Sequence, residues 1–134
     1  FLKYLNINFM ELIQIAAILY ILITVVVIFF QLFLVLGAPW GEFTQGGRHK
    51  GTLPISGRIS AAVSIPILVF MALSISSVVG FVPNWSIRTA YITLALQGVT
   101  AVFNLITPSL KERRLWGPVT TTAFILAAYS TYSS

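Results

Sequence analysis

Three long stretches without a charged side chain constrain this chain more than any other feature of its sequence. The first covers residues 12–36, and about 20 apolar residues already suffice to cross the hydrocarbon core of a bilayer. Residues 59–81 and 89–107 form two further uncharged runs. Because a bilayer offers backbone amides no water to bind, runs of this length without strict alternation predict transmembrane helices rather than strands.

A fourth apolar stretch, residues 118–132, is shorter than the other three. It crosses a bilayer only if the membrane thins locally or the flanking side chains snorkel. The four runs together predict an all-α integral membrane protein, with residues 1–134 forming one four-helix bundle of two helical hairpins. Composition agrees, since 57% of the residues are hydrophobic and 8% are charged, against about 25% charged in soluble domains.

Lysine and arginine residues are distributed unequally between the two predicted sides of the bundle. One side carries Arg48, Lys50, Arg58, Lys111, Arg113 and Arg114, and the other carries Lys3 and Arg88. The positive-inside rule therefore predicts an inner (plasma) membrane protein with both basic loops in the cytoplasm and both termini outside. The net charge of +5 is interpreted as a topological signal that meets anionic lipid headgroups, and not as a nucleic-acid surface.

The longest polar interruption, residues 37–58, reads GAPWGEFTQGGRHKGTLPISGR and holds six of the nine glycines. Its first glycine and proline end the preceding helix. It is not a phosphate-binding P-loop, because Gly47 stands where that motif requires lysine. We predict a cytoplasmic turn of fixed shape that packs against residues 111–116. The candidate interaction residues of the two loops are Gly37, Pro39, Trp40, Glu42, Gly46, Gly47, Arg48, Arg113, Arg114 and Trp116.

A stripe of polar residues follows the third predicted span. Thr93, Gln97, Thr100 and Asn104 recur at spacings that place them on one helix face. Gln31, near the end of the first span, is the best candidate for a buried contact with Asn104. This polar face either bonds to neighbouring helices, at about 0.6 kcal/mol for each bond, or lines a small polar pathway.

Catalytic and metal-binding groups are scarce in this sequence. There is no cysteine, one histidine and three acidic residues. His49 lies between two basic residues, and none of the glutamates falls in the middle of a predicted span, where a proton-coupled transporter needs an ionisable group. We therefore expect neither an enzyme nor a cofactor or metal site.

Two blocks of loop residues carry a family resemblance. The first reads GAPWGE from Gly37, followed by Gly46-Gly47-Arg48, Leu53-Pro54 and Arg58, and the second reads ERRLWGP from Glu112. In these loops the chain resembles small, uncharacterised four-span bacterial inner-membrane proteins. The resemblance implies a four-span fold and no particular activity.

Two functions remain open at this point. In the first, the chain is a non-enzymatic accessory or scaffold subunit, which associates with a membrane-protein partner or with itself and presents its basic cytoplasmic loops. In the second, it is a small homo-oligomeric transporter or channel whose Thr93–Asn104 face lines a pathway. Both place the chain in a lipid bilayer.

Overall fold

The structure is a computed structural model that describes residues 1–134, apart from the side chain of Leu2. It confirms the predicted all-α class. The helices are α1 (Leu2–Leu5), α2 (Phe9–Val35), α3 (Ile55–Val78), α4 (Ile87–Ile106) and α5 (Leu110–Ser133). Two 3-10 turns, Gly41–Phe43 and Gln45–Gly47, lie in the loop between α2 and α3.

Three of these helices, α2, α3 and α4, are long and apolar enough to cross a membrane. They correspond to the first three predicted spans and begin a few residues earlier than the uncharged runs do. For α2 the reason is its capping box: the Asn8 side chain accepts the Glu11 N–H at 2.8 Å, and the Glu11 carboxylate accepts the Asn8 N–H at 3.3 Å. Such a cap satisfies amides that have no partner within the helix.

The last helix begins at Leu110, so the predicted start at residue 118 is wrong, and residues 111–116, which were predicted to form a loop, lie in its first turns. Ser109 caps the helix, and its hydroxyl accepts the Glu112 N–H at 3.1 Å. Pro118 lies inside the helix, where it removes the hydrogen bond to the Arg114 carbonyl and its ring crowds that carbonyl. With its charged first turns and many hydroxyl side chains, α5 is not among the helices apolar enough to cross a membrane.

The four long helices pack side by side, with α2 against α3, α3 against α4, α4 against α5, and α5 against α2. Sequential neighbours run antiparallel. Gln14 of α2 donates to the Val79 carbonyl at one end of α3, and Arg58 at the other end donates to the Val35 carbonyl. Both polar loops, at the α2–α3 and α4–α5 junctions, therefore lie at the same end of the molecule.

The interior is filled largely by small residues and a few large ones. Its main cluster consists of Ile13, Ala17, Tyr20, Ile75, Val79, Ala90, Leu94, Ala123 and Ala127. Alanine lets helix backbones approach closely, which is the main source of packing energy between helices in lipid. Many of the larger hydrophobic side chains of α2, α3 and α4 are exposed on the outside of the bundle, as expected for helices surrounded by lipid.

Candidate functional site

The Gly-rich loop folds back on itself through backbone contacts. The Gly41 N–H donates to the Gly51 carbonyl at 3.0 Å, and the Thr52 hydroxyl donates to the Gly37 carbonyl at 2.8 Å. Gly37 has a φ of +103° and ends α2, with the Ala38 N–H donating to the Phe33 carbonyl at 2.9 Å. This is the helix-ending geometry that glycine favours, so the loop starts from a defined direction.

The base of the loop is attached to both flanking helices. Arg58 of α3 donates through Nε to the Val35 carbonyl at 2.9 Å, and Gln45 donates to the Gly57 carbonyl at 2.9 Å. A cation at the C-terminal end of α2 is favourable because the last carbonyls of a helix carry partial negative charge. The loop is therefore held at its start, middle and end.

The beginning of α5 forms the surface on which the loop rests. Glu42 makes a salt bridge with Lys111, and the Ser109 hydroxyl donates to the Glu42 carbonyl at 2.6 Å. The Glu112 carboxylate, which is buried, accepts the Gly46 N–H at 3.3 Å. The Lys111 ammonium favours the ionised form of its partner, so the pKa of Glu42 lies below the usual range for a carboxyl group.

Aromatic side chains join the same two segments on their apolar side. The Trp40 ring stacks on Phe30 at a centroid distance of 5.7 Å, and the Trp116 ring meets Phe30 edge-on at 4.8 Å. Both are favoured geometries for aromatic pairs. The Phe30 ring of α2 thus contacts both Trp40 of the loop and Trp116 of α5.

The structure brings some of the predicted loop residues together and leaves others apart. Trp40, Glu42, Gly46, Gly47 and Trp116 lie in or beside the contact between the loop and α5. Arg48, Arg114 and Pro39 are exposed. Arg113 donates to the Thr107 carbonyl at 3.0 Å, next to α5.

Four residues that complete this contact were not among the predicted interaction residues: Phe30, Ser109, Lys111 and Glu112. The Ser109–Glu112 spacing is a helix-start signal that could have revealed the cap. The pairing of Glu42 with Lys111 has no local signal, because 69 positions separate the two residues.

The predicted polar stripe divides into two parts. Thr93 and Gln97 are buried, and their partners lie on other helices: the Thr93 and Ser74 hydroxyls are 2.5 Å apart, and Tyr20 donates to Gln97 at 3.0 Å. Gln97 also donates to the Thr120 carbonyl at 3.3 Å. This half of the stripe connects all four long helices.

The other half of the stripe is less buried: Thr100 is exposed and Asn104 is half-buried. Thr100 and Asn104 donate to carbonyls one turn back in α4, both at 2.9 Å. The amide of Asn104 therefore bonds within its own helix, and the expected contact with Gln31 is not formed among the described residues. Gln31 itself is half-buried on α2.

Metal-ligating side chains are dispersed. Among the residues that the structure describes, no three or more histidine, cysteine or acidic side chains group closely enough to hold a metal ion. His49 is exposed on the loop.

We expect Gly41→Ala to disrupt the loop. A Cβ at this position would lie 2.0 Å from the His49 carbonyl oxygen and 2.6 Å from that of Gly51, so the backbone must move, at a cost of roughly 1–3 kcal/mol. Gly51→Ala is the matched control, because a Cβ there meets no atom within 4 Å. Thermal unfolding in mild detergent and amide exchange over residues 41–51 measure both variants. Equal effects from the two substitutions would contradict the folded loop.

We expect Glu42→Gln to loosen the contact between the loop and α5 without releasing it, since it removes the charge that faces Lys111 but leaves the bonds of Ser109 and Glu112 in place. Because the pKa of Glu42 is lowered, its contribution is complete above the ordinary carboxyl pKa of about 4.3 and is lost as the pH falls through the lowered value. Amide exchange of residues 41–51 across this pH range tests the expectation. The exchanged pair Glu42→Lys with Lys111→Glu should slow exchange again, and Glu11→Gln should leave it unchanged.

Comparison with known proteins identifies no relative of this chain. No family model, curated protein or solved structure matches the chain.

Proposed function

We propose that all four long helices cross the membrane, so that α5 is a fourth span in addition to the three apolar ones. At 24 residues, α5 is as long as α3, and about 1.5 Å per residue makes such a helix long enough for a hydrocarbon core of about 30 Å. It runs antiparallel beside α4 along its length, from the Gln97–Thr120 bond to the Tyr91–Tyr132 ring pair.

The low hydropathy of α5 is compatible with this position. Three of its buried hydroxyls, on Thr120, Ser130 and Thr131, donate to carbonyls one turn back at 2.6, 2.8 and 2.8 Å. A hydroxyl satisfied within its own helix does not require water, and helices in membranes commonly satisfy polar groups in this way. Hydropathy scales count these side chains as polar although they face the other helices.

The orientation we propose has both basic loops in the cytoplasm and both termini outside. The Gly-rich loop touches the start of α5 through Glu42 and Lys111, so both loops share one side, as an even number of crossings requires. The two loops and the helix turns next to them carry six of the eight basic residues, which favours the cytoplasmic side. With the resemblance of the loops, this supports a bacterial inner-membrane protein.

The function we propose is that of a non-enzymatic accessory or scaffold subunit, which acts through association in the membrane. The observation that carries this proposal is the docking of the Gly-rich loop on the start of α5. It produces a preformed cytoplasmic surface in which Lys50 and Arg114 are exposed. A preformed surface loses little conformational entropy when a partner binds.

The alternative, a transporter or channel lined by the polar stripe, receives less support. Thr93 and Gln97 are buried and bonded to Ser74, Tyr20 and Thr120. A pathway along this face would have to break those bonds in the membrane interior. The helix-linking interpretation of these two residues accounts for their burial directly.

The crossing of α5 can be tested with single cysteines, because the chain has none of its own. We expect His49→Cys to react with a membrane-impermeant maleimide only from the cytoplasmic side, and Tyr4→Cys and Ser134→Cys only from the outside. Ser134 follows the last residue of α5 and reports directly on the crossing. If Ser134→Cys reacts from the same side as His49→Cys, α5 does not cross.

The accessory function can be tested by purification from native membranes in mild detergent. We expect a stoichiometric partner protein that is lost when Lys50→Gln and Arg114→Gln are combined, because both side chains are exposed on the cytoplasmic surface. The control combines Lys3→Gln with Arg88→Gln, which removes the same charge from the other side. A chain that stays alone and monomeric, or equal losses in the two double variants, would contradict the proposal.

A further inference from the structure

A small polar pocket lies on the side of the Gly-rich loop that faces the start of α3. It has a volume of about 160 Å³ and is lined by Gln45, Arg48, His49, Ser56, Gly57 and Ser60. Drug-sized ligands occupy pockets of about 300–1,000 Å³, so this pocket suits a single small polar group. None of the six lining residues is acidic.

The charge of the pocket has no counter-ion within the chain. Among the described residues, Glu42 and Lys111 form the one salt bridge. The Arg48 guanidinium therefore has no carboxylate partner among them. Gln45 is held in place by its bond to the Gly57 carbonyl at 2.9 Å. A Cβ at Gly57 would lie 2.8 Å from the Gln45 side-chain oxygen, so the two form a close-packed floor. The pocket thus offers a guanidinium and two hydroxyls around a fixed base.

The face of α3 below the pocket is apolar and open. Ser56, Ser60, Val63 and Ile67 are spaced by four, three and four positions, which places them on one face of the helix. Val63 is 56% exposed and Ile67 is 45% exposed. A polar pocket above an exposed apolar stripe matches a ligand with a charged head and a hydrocarbon tail.

We propose that this pocket binds the phosphate of an anionic phospholipid, with an acyl chain lying along Val63 and Ile67. Arg48 supplies the charge-assisted hydrogen bonds that a phosphate oxygen accepts, and the hydroxyls of Ser56 and Ser60 supply further donors. A nearby choline or similar cation on the lipid would be repelled by Arg48, so the site selects anionic over zwitterionic headgroups. The inference rests on the proposed orientation, which puts this end of α3 at the cytoplasmic membrane surface.

The test uses the full chain purified in a neutral detergent and native mass spectrometry. The probes are dioctanoyl phosphatidylglycerol, dioctanoyl phosphatidylcholine and inorganic phosphate, each titrated to obtain a dissociation constant. We expect the phosphatidylglycerol to bind at least about tenfold more tightly than either of the others, because it alone supplies an uncompensated phosphate together with acyl chains. Equal binding of the two lipids, or of inorganic phosphate and phosphatidylglycerol, would overturn the proposal.

Two variants locate the site. Arg48→Gln should weaken phosphatidylglycerol binding by about tenfold or more, the effect of losing a charge-assisted hydrogen bond, and Ser60→Leu should do the same by filling the pocket. Arg114→Gln is the matched control for charge, since it removes one exposed basic side chain from the same side of the molecule. Equal weakening by Arg48→Gln and Arg114→Gln would mean diffuse attraction and no pocket.

This result is separable from the tests of the proposed function. Lipid binding is measured on the isolated protein, partner binding in native membranes, and orientation by cysteine labelling. A wild-type chain that purifies without any partner but binds phosphatidylglycerol would contradict the accessory function alone. Unchanged lipid binding in Arg48→Gln and Ser60→Leu would contradict the lipid site alone.

Discussion

The hydrogen bond from the Tyr20 hydroxyl to Gln97 is the interaction around which the four long helices are arranged. Lipid tails are as apolar as the side chains of a neighbouring helix, so no hydrophobic effect drives helices together in a bilayer. They associate through close packing and a few polar contacts. Tyr20 is fully buried, and its partner Gln97 donates in turn to the Thr120 carbonyl. Alanines of α2, α4 and α5 line the same interior. Removing either side chain would leave a buried polar group unpaired, which costs more than the bond itself contributes.

Outside the interior, the shape of the Gly-rich loop depends on close backbone approach more than on charge. The Glu42–Lys111 pair is solvent-accessible, and exposed ion pairs contribute little on their own. Gly41 permits a close contact with the His49 and Gly51 carbonyls that any side chain would block. Phe30 packs against Trp40 of the loop and Trp116 of α5. The salt bridge adds one contact between the loop and α5, and Gln45, Arg48 and His49 of the loop line the pocket beside α3.

The last helix combines two environments in one continuous element. Its first turns carry Lys111, Arg113 and Arg114 at the polar end, and its body presents small residues and hydroxyls to the other helices. Because those hydroxyls donate to carbonyls of the same helix, their burial leaves few groups that need water. This explains how a helix of low hydropathy can pack along its length against α2 and α4.

The sequence by itself determined the all-α class, the three apolar helices and the end of α2 at Gly37, because uncharged run length and glycine chemistry are local properties. The tertiary structure alone decided that Glu42 pairs with Lys111, and that Thr93 and Gln97 are buried while Thr100 is exposed and Asn104 is half-buried. Spacing places residues on one face of a helix, but which part of that face is covered depends on where the neighbouring helices lie. That position is set by contacts between residues far apart in the chain, such as Tyr20 with Gln97, for which a single sequence carries no local signal.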